Sequence, residues 1–130
     1  MALRVLTVDD SPIMRRVIAK AIAMCGLDIT AVDEAVDGVD ALEKLRADNH
    51  DVVFADINMP RMNGVEFMRA LNDDTELAGK PVFIVSTDRS QSRRQELAEL
   101  GVLAQVTKPF RPEVFRELLE NAFPQERSAS

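Results

Sequence analysis

Apolar residues in this chain fall into short continuous runs and stripes of helical period, and the two kinds of segment alternate five times. Leu3-Arg4-Val5-Leu6-Thr7-Val8 is the first run and predicts a strand. Ser11 to Cys25 then sets Ile13, Val17, Ile18, Ala21, Ile22 and Cys25 along one stripe, with Arg15, Arg16 and Lys20 elsewhere, and predicts a helix. Asp10 or Ser11 can cap it, Pro12 suits its first position, and Gly26 stops it. Leu27 to Val36 predicts a second strand, most β-prone over Ile29-Thr30-Ala31-Val32, although its acids count against it. Asp37-Gly38 turns the chain into a helix that ends near Ala47 and buries Ala41, Leu42 and Leu45.

The third run is Asp51-Val52-Val53-Phe54-Ala55-Asp56, and Ile57-Asn58-Met59-Pro60 follows it. It predicts a buried strand that delivers Asp56 at its carboxyl end, before Pro60 forbids continuation. Asn63-Gly64-Val65-Glu66 has the form of a capping box, opening a helix with Val65, Met68 and Leu71 on its apolar side. Asn72 to Lys80 predicts a loop, and Pro81-Val82-Phe83-Ile84-Val85 a strand ending in Ser86-Thr87-Asp88. The next helix, about Ser90 to Leu100, has only Leu97, Ala98 and Leu100 to hold it and is expected to be the most mobile. Gly101 stops it, Val102 to Thr107 predicts the last strand, and Lys108-Pro109-Phe110 follows. A helix from about Pro112 to Phe123 uses Val114, Phe115, Leu118, Leu119 and Ala122, and the polar tail 124–130 is expected to be disordered. Five strand and helix units in alternation predict an α/β domain over residues 1–123, a parallel sheet with helices on both faces.

Composition narrows the function. At 130 residues, 46% hydrophobic and 29% charged, the chain suits one domain with a sizeable core. Its formal charge of −6 argues against direct nucleic-acid binding or an anionic membrane surface. The single Cys25, read as a small core residue, makes no internal disulfide, which points to a reducing compartment and a cytoplasmic location. No signal peptide or membrane span is predicted. His50 reads as a loop residue and a weak ligand, and Arg89, Arg93 and Arg94 as solvated surface or a contact for an acidic partner.

The chemistry collects at strand ends. In open parallel sheets, ligands sit outside the carboxyl ends of the strands, where Asp9, Asp10 and Asp56 are placed. If those strands are neighbours, each like-charge pair at about 4 Å and an effective dielectric of about 20 costs on the order of 4 kcal/mol. Such a cluster asks for a cation or a raised pKa. An all-oxygen site with open coordination positions suits Mg²⁺, with Mn²⁺ the alternative.

Four features together, namely Asp9-Asp10, the Asp56-Ile57-Asn58-Met59-Pro60 turn, Ser86 after the fourth strand and Lys108-Pro109-Phe110 after the fifth, resemble the receiver domain of two-component response regulators, in its single-domain CheY-like form. The resemblance implies a flavodoxin-like strand order of 2-1-3-4-5 with five helices. It implies a phosphorylation switch rather than an enzyme acting on external substrates. Asp56 would accept a phosphoryl group from a histidine kinase or a histidine phosphotransfer protein. Asp10, Asp56 and the Asn58 carbonyl would hold Mg²⁺ with Asp9 close by, and Lys108 and Ser86 would contact phosphoryl oxygens. The signal, possible in chemotaxis, would pass from a monomer to a protein target. The contact face would be the last two helices and the strand between them, including Gln95, Glu99, Gln105 and Arg116. Gln105 departs from the family, which usually has an aromatic there that swings inward on activation. Thr87 stands where many relatives have a small apolar residue, and Asn58 and Asp88 occupy positions that tune phosphoryl lifetime, for which the resemblance implies seconds to minutes. The competing readings are a Mg²⁺-dependent phosphatase working through an aspartyl phosphate and an inactive receiver-like scaffold. Such a phosphatase would carry its two aspartates two residues apart, whereas Asp9 and Asp10 are adjacent.

Overall fold

The computed structural model describes residues 2–124. Strands β1 (Leu3–Val8), β2 (Ile29–Ala35), β3 (Val52–Ala55), β4 (Val82–Ser86) and β5 (Ala104–Thr107) pair in parallel in the order β2-β1-β3-β4-β5. Between and after them run α1 (Pro12–Ala23), α2 (Gly38–Ala47), α3 (Gly64–Asp73), α4 (Gln91–Glu99) and α5 (Glu113–Ala122). The expected architecture and strand order are both present. The expected tail falls almost wholly on 125–130, outside the described residues.

The continuous apolar runs follow from burial on both faces of the sheet. Successive side chains of a strand point to opposite faces, so Leu3, Val5, Phe54, Phe83 and Val85 meet Ile18 and Ile22 of α1 and Phe115 and Leu119 of α5. Leu6, Val8, Val53, Ala55, Val82 and Ile84 face α2, α3 and Leu97 of α4. Phe54 stacks on Phe83 with centroids 5.1 Å apart and meets Phe115 edge-on at 5.3 Å, joining three elements of the first layer.

Several local expectations change. Ile13 and Val17 are 72% and 46% exposed, not core. Residues 14, 18, 21, 22 and 25 already fill the inward arc of α1, and Ile13 and Val17 lie a residue's rotation to one side. Ser11, not Asp10, caps α1, accepting from the Met14 amide. The expected loop from Asn72 starts two residues later, and its Leu77 is buried. Ala98 is exposed, which leaves Leu97 as the single buried residue of α4. β5 is shorter than expected, and Leu103 before it is 55% exposed.

His50 lies in the loop before β3, as expected, but it is 1% exposed, and its Nε2 lies 2.8 Å from Asp33 Oδ2. The charges of β2 lie on an edge strand and are paired there. Arg4 Nε donates to Asp33 at 3.0 Å and Arg15 Nε to Glu34 at 3.0 Å. This explains how acids fit a run that otherwise reads as a strand.

Candidate functional site

Sheet register brings the candidate residues to one rim. Val8 is level with Ala55 and Ala55 with Ile84, so Asp9, Asp10, Asp56 and Ser86 leave three adjacent strands at the same end. Ser86 is level with Thr107, which places Lys108 beside them. The Asp56 amide donates to the Val8 carbonyl at 2.9 Å, and the Lys108 amide to the Ser86 carbonyl at 2.8 Å.

Side chains then converge. One carboxylate oxygen from each of Asp9, Asp10 and Asp56 lies within 4.8 Å of the others. Lys108 reaches in, with Nζ 2.8 Å from Asp9 Oδ2 and 3.6 Å from Asp56 Oδ2. The Lys108, Asp9 and Asp56 side chains are only 9%, 3% and 12% exposed, so solvent screens the cluster weakly, while Asp10 stands exposed at its mouth. Three carboxylates against one ammonium leave two negative charges facing an open side. This balance and the all-oxygen donor set fit a hard divalent cation.

The neighbouring hydrogen bonds fix which oxygens are free. Asp56 Oδ1 accepts from its following amide, that of Ile57, at 2.7 Å, which leaves Oδ2 towards Lys108. Asp9 Oδ1 accepts from the Ser11 amide at 2.9 Å, and Arg15 Nη1 donates to the Asp9 carbonyl at 2.7 Å. The start of α3 packs tightly beneath the loop that follows β3. A Cβ at Gly64 would stand 2.7 Å from the Asp56 carbonyl oxygen, so no side chain fits there. The capping box is complete, Asn63 and Glu66 each accepting the other's amide, and it anchors the loop's far end.

Ser86 is buried, and its Oγ accepts from the Asp88 amide at 3.1 Å, which leaves its own hydrogen for another acceptor. Thr87 is exposed. Asp88 accepts from the Ser90 amide at 2.8 Å and more weakly from Asn58 Nδ2 at 3.4 Å. The Ser90 bond first, with Asn58, Arg93 and Arg94 adding, holds the Asp88 carboxyl below the ordinary aspartate range. Gln105, which stands where the family usually has an aromatic, is pinned to α4 by a 2.8 Å bond from its Nε2 to the Arg94 carbonyl. Arg94 in turn donates to Thr107 Oγ1. Arg94 is therefore a tie between α4 and β5 that the sequence reading left as surface. Arg93, 3.5 Å from Asn58 Oδ1, and Arg15 were missed in the same way.

A family model described as the response regulator receiver domain matches residues 5–120. The chain is 37% identical over 121 residues to a chemotaxis protein CheY of Pseudomonas aeruginosa, covering 93% of this chain and 96% of that one. The crystal structure of CheY4 of Vibrio cholerae, 31% identical, superposes with a TM-score of 0.82 over 93% of this chain and 98% of its own. The receiver domain of a Pseudomonas aeruginosa sensor histidine kinase, solved with a magnesium ion coordinated in its active-site cleft, shares the fold with a TM-score of 0.80 at 20% identity, covering 93% and 97%.

Proposed function

The chain belongs to the response regulator receiver domain family, a family of phosphoacceptors in two-component signalling, and from that premise we propose that Asp56 is its phosphoacceptor. The convergence of Asp9, Asp10 and Asp56 within 4.8 Å of one another, with the buried Lys108 beside Asp9 and Asp56, carries this assignment. Asp56 Oδ2, the oxygen not committed to the backbone, attacks phosphorus. The new O–P bond forms as the P–N bond of a phosphohistidine, or the P–O bond of an acyl phosphate, breaks, and the leaving group departs with the electron pair. Lys108 moves from Asp9 to a phosphoryl oxygen, and the free Ser86 hydrogen is donated to another. Asp10, Asp56 and the Asn58 carbonyl, with Asp9 alongside, are the residues that would hold magnesium, or manganese in its place. When bound, the metal neutralises negative charge gathering on the transferred group.

A phosphoryl group adds roughly −1.5 to −2 charge at one rim. Drawing Ser86 and Lys108 towards it shifts the loop that leads into α4 and the loop that follows β5, and α4 is held by Leu97 and by the Gln105–Arg94–Thr107 bonds. The signal leaves by the face formed by α4, β5 and α5, including Gln95, Glu99, Gln105 and Arg116. The donor is a histidine kinase or a histidine phosphotransfer protein, and the receiver of the signal is another protein; similarity to chemotaxis proteins supports a chemotactic role, and we read the chain as a cytoplasmic monomer. Among the described residues no helix is long and apolar enough to cross a membrane.

Incubating the protein with Mg²⁺ and acetyl phosphate and reading its intact mass tests this. The expected result is one phosphoryl group on the wild type and none on Asp56→Asn. Sustained hydrolysis of unrelated phosphate esters would favour the phosphatase reading, and no modification at all would favour a scaffold.

A further inference from the structure

The loop from β3 to α3, which carries Asp56 and Asn58, is fastened to a neighbouring turn by an ion pair outside the acidic cluster. Arg61 adopts a φ of 61°, in the left-handed region that residues with side chains seldom occupy. From there its guanidinium grips Asp37, with Nε 2.6 Å from Oδ2 and Nη2 3.1 Å from Oδ1. Asp37 is 3% exposed and caps α2 through the Asp40 amide. A buried carboxylate needs a counter-charge and filled lone pairs, and Arg61 supplies both. It also holds the Asp37 carboxyl below the ordinary aspartate range. Beside the pair, the Gly38 amide donates to the Met62 carbonyl at 3.2 Å, and the Met62 side chain fills the space above Gly38.

The same turn grips the other half of the site. The Asp9 amide donates to the Ala35 carbonyl at 3.1 Å. Residues 35–38 therefore link the wall that carries Asp9 and Asp10 to the wall that carries Asp56 and Asn58. The strand ladder already joins the two walls as far as the Asp56 amide, so the tie acts on the loop beyond it, and its loss frees the Asn58 side of the rim to move away from the carboxylates of Asp9 and Asp10.

We infer that Asp37 and Arg61 form a positioning clamp that sets the spacing of the two walls and thereby the affinity of the rim for a divalent cation. The inference rests on reading the acidic cluster as a magnesium site. Neither residue touches the ion or the phosphoryl group. A purely structural ion pair would lower the melting temperature when broken but leave cation affinity alone, so affinity is the discriminating readout.

Calorimetric titration of the full chain with magnesium chloride tests the clamp. Arg61→Gly accepts the left-handed backbone without strain and removes the guanidinium. Asp37→Asn keeps the capping oxygen and removes the charge. Each is expected to weaken magnesium binding several-fold, less than the roughly 10- to 100-fold lost with groups bonded directly to metal ligands. The double variant is expected to lose no more than either single, and Arg61→Lys to keep part of the affinity. Wild-type affinity in both singles, or losses that multiply in the double, overturns the clamp. A wild-type protein that takes up no magnesium overturns the cluster reading itself, and the clamp with it. Asp37→Asn and Arg61→Lys, the conservative pair, keep the test decisive if Arg61→Gly does not fold.

Discussion

Replacing Asp10 by Asn should stabilise the metal-free protein and weaken its response to magnesium. Asp10 lies within 4.8 Å of two other carboxylates and, among the described residues, makes no ion pair of its own, whereas Lys108 serves Asp9 and Asp56. A like-charge pair at that distance costs from about 1 kcal/mol in water to about 3.5 kcal/mol at an effective dielectric of 20. Asp10 is exposed, so the low end applies and two pairs amount to about 2 kcal/mol, reduced further by salt. A net gain of about 1 to 2 kcal/mol corresponds to a rise in Tm of roughly 3 to 8 °C for a domain of this size. The chain has no Trp or Tyr, so thermal unfolding is best followed by far-ultraviolet circular dichroism, in EDTA and in magnesium. The variant should melt higher than wild type in EDTA and gain less from magnesium, so that the difference shrinks or reverses. Equal melting in EDTA, or equal stabilisation of both proteins by magnesium, would refute the charge balance assigned to the rim.

Other expectations follow from particular contacts. Leu97→Ala removes the one buried side chain of α4 and should cost about 2 to 4 kcal/mol, with amide exchange rising first in α4; uniform protection loss across the domain would speak against α4 as the weakest element. Asp37 has a folded pKa below the ordinary value of 3.8, through Arg61 first, so the unfolded chain takes up its proton at higher pH than the folded one. The stability from this pair is present above that ordinary value and is lost as pH falls through the folded value. Asp37→Asn should therefore flatten the acid limb of a stability profile below about pH 4, which urea titrations across pH 2 to 6 would measure. The aspartyl phosphate should decay in seconds to minutes at neutral pH with magnesium; the Asp88 carboxylate can orient a hydrolytic water, so Asp88→Ala should lengthen that lifetime, and a wild-type half-life of many hours would contradict this role.

The alternation of apolar runs and stripes was enough to read the architecture, because a doubly covered parallel sheet demands continuous apolar strands between amphipathic helices. Asp9, Asp10, Asp56, Ser86 and Lys108 were legible for a related reason: each ends a strand or follows one within two residues, and strand ends of one parallel sheet meet at one rim. What stayed hidden depends on side-chain direction and long reach. Ile13 and Val17 carry the same hydrophobic signal as Ile18, and only the packing of α1 on α5 decides which arc turns inward. His50 is a loop residue as its neighbours suggest, but its burial shows only once Asp33 of the edge strand is placed against it. The contacts of Arg61 and Arg94 stay hidden because neither the left-handed backbone of one nor the Thr107 partner of the other leaves a local pattern.

Growing crystals with Mg²⁺ and beryllofluoride, a phosphoryl mimic, tests the central claim most directly. The account predicts a beryllium adduct on Asp56 Oδ2, a metal held by Asp10, Asp56 and the Asn58 carbonyl, and Lys108 Nζ turned from Asp9 to a fluorine. An unmodified Asp56 with Lys108 still bridging Asp9 and Asp56 under saturating conditions would contradict it.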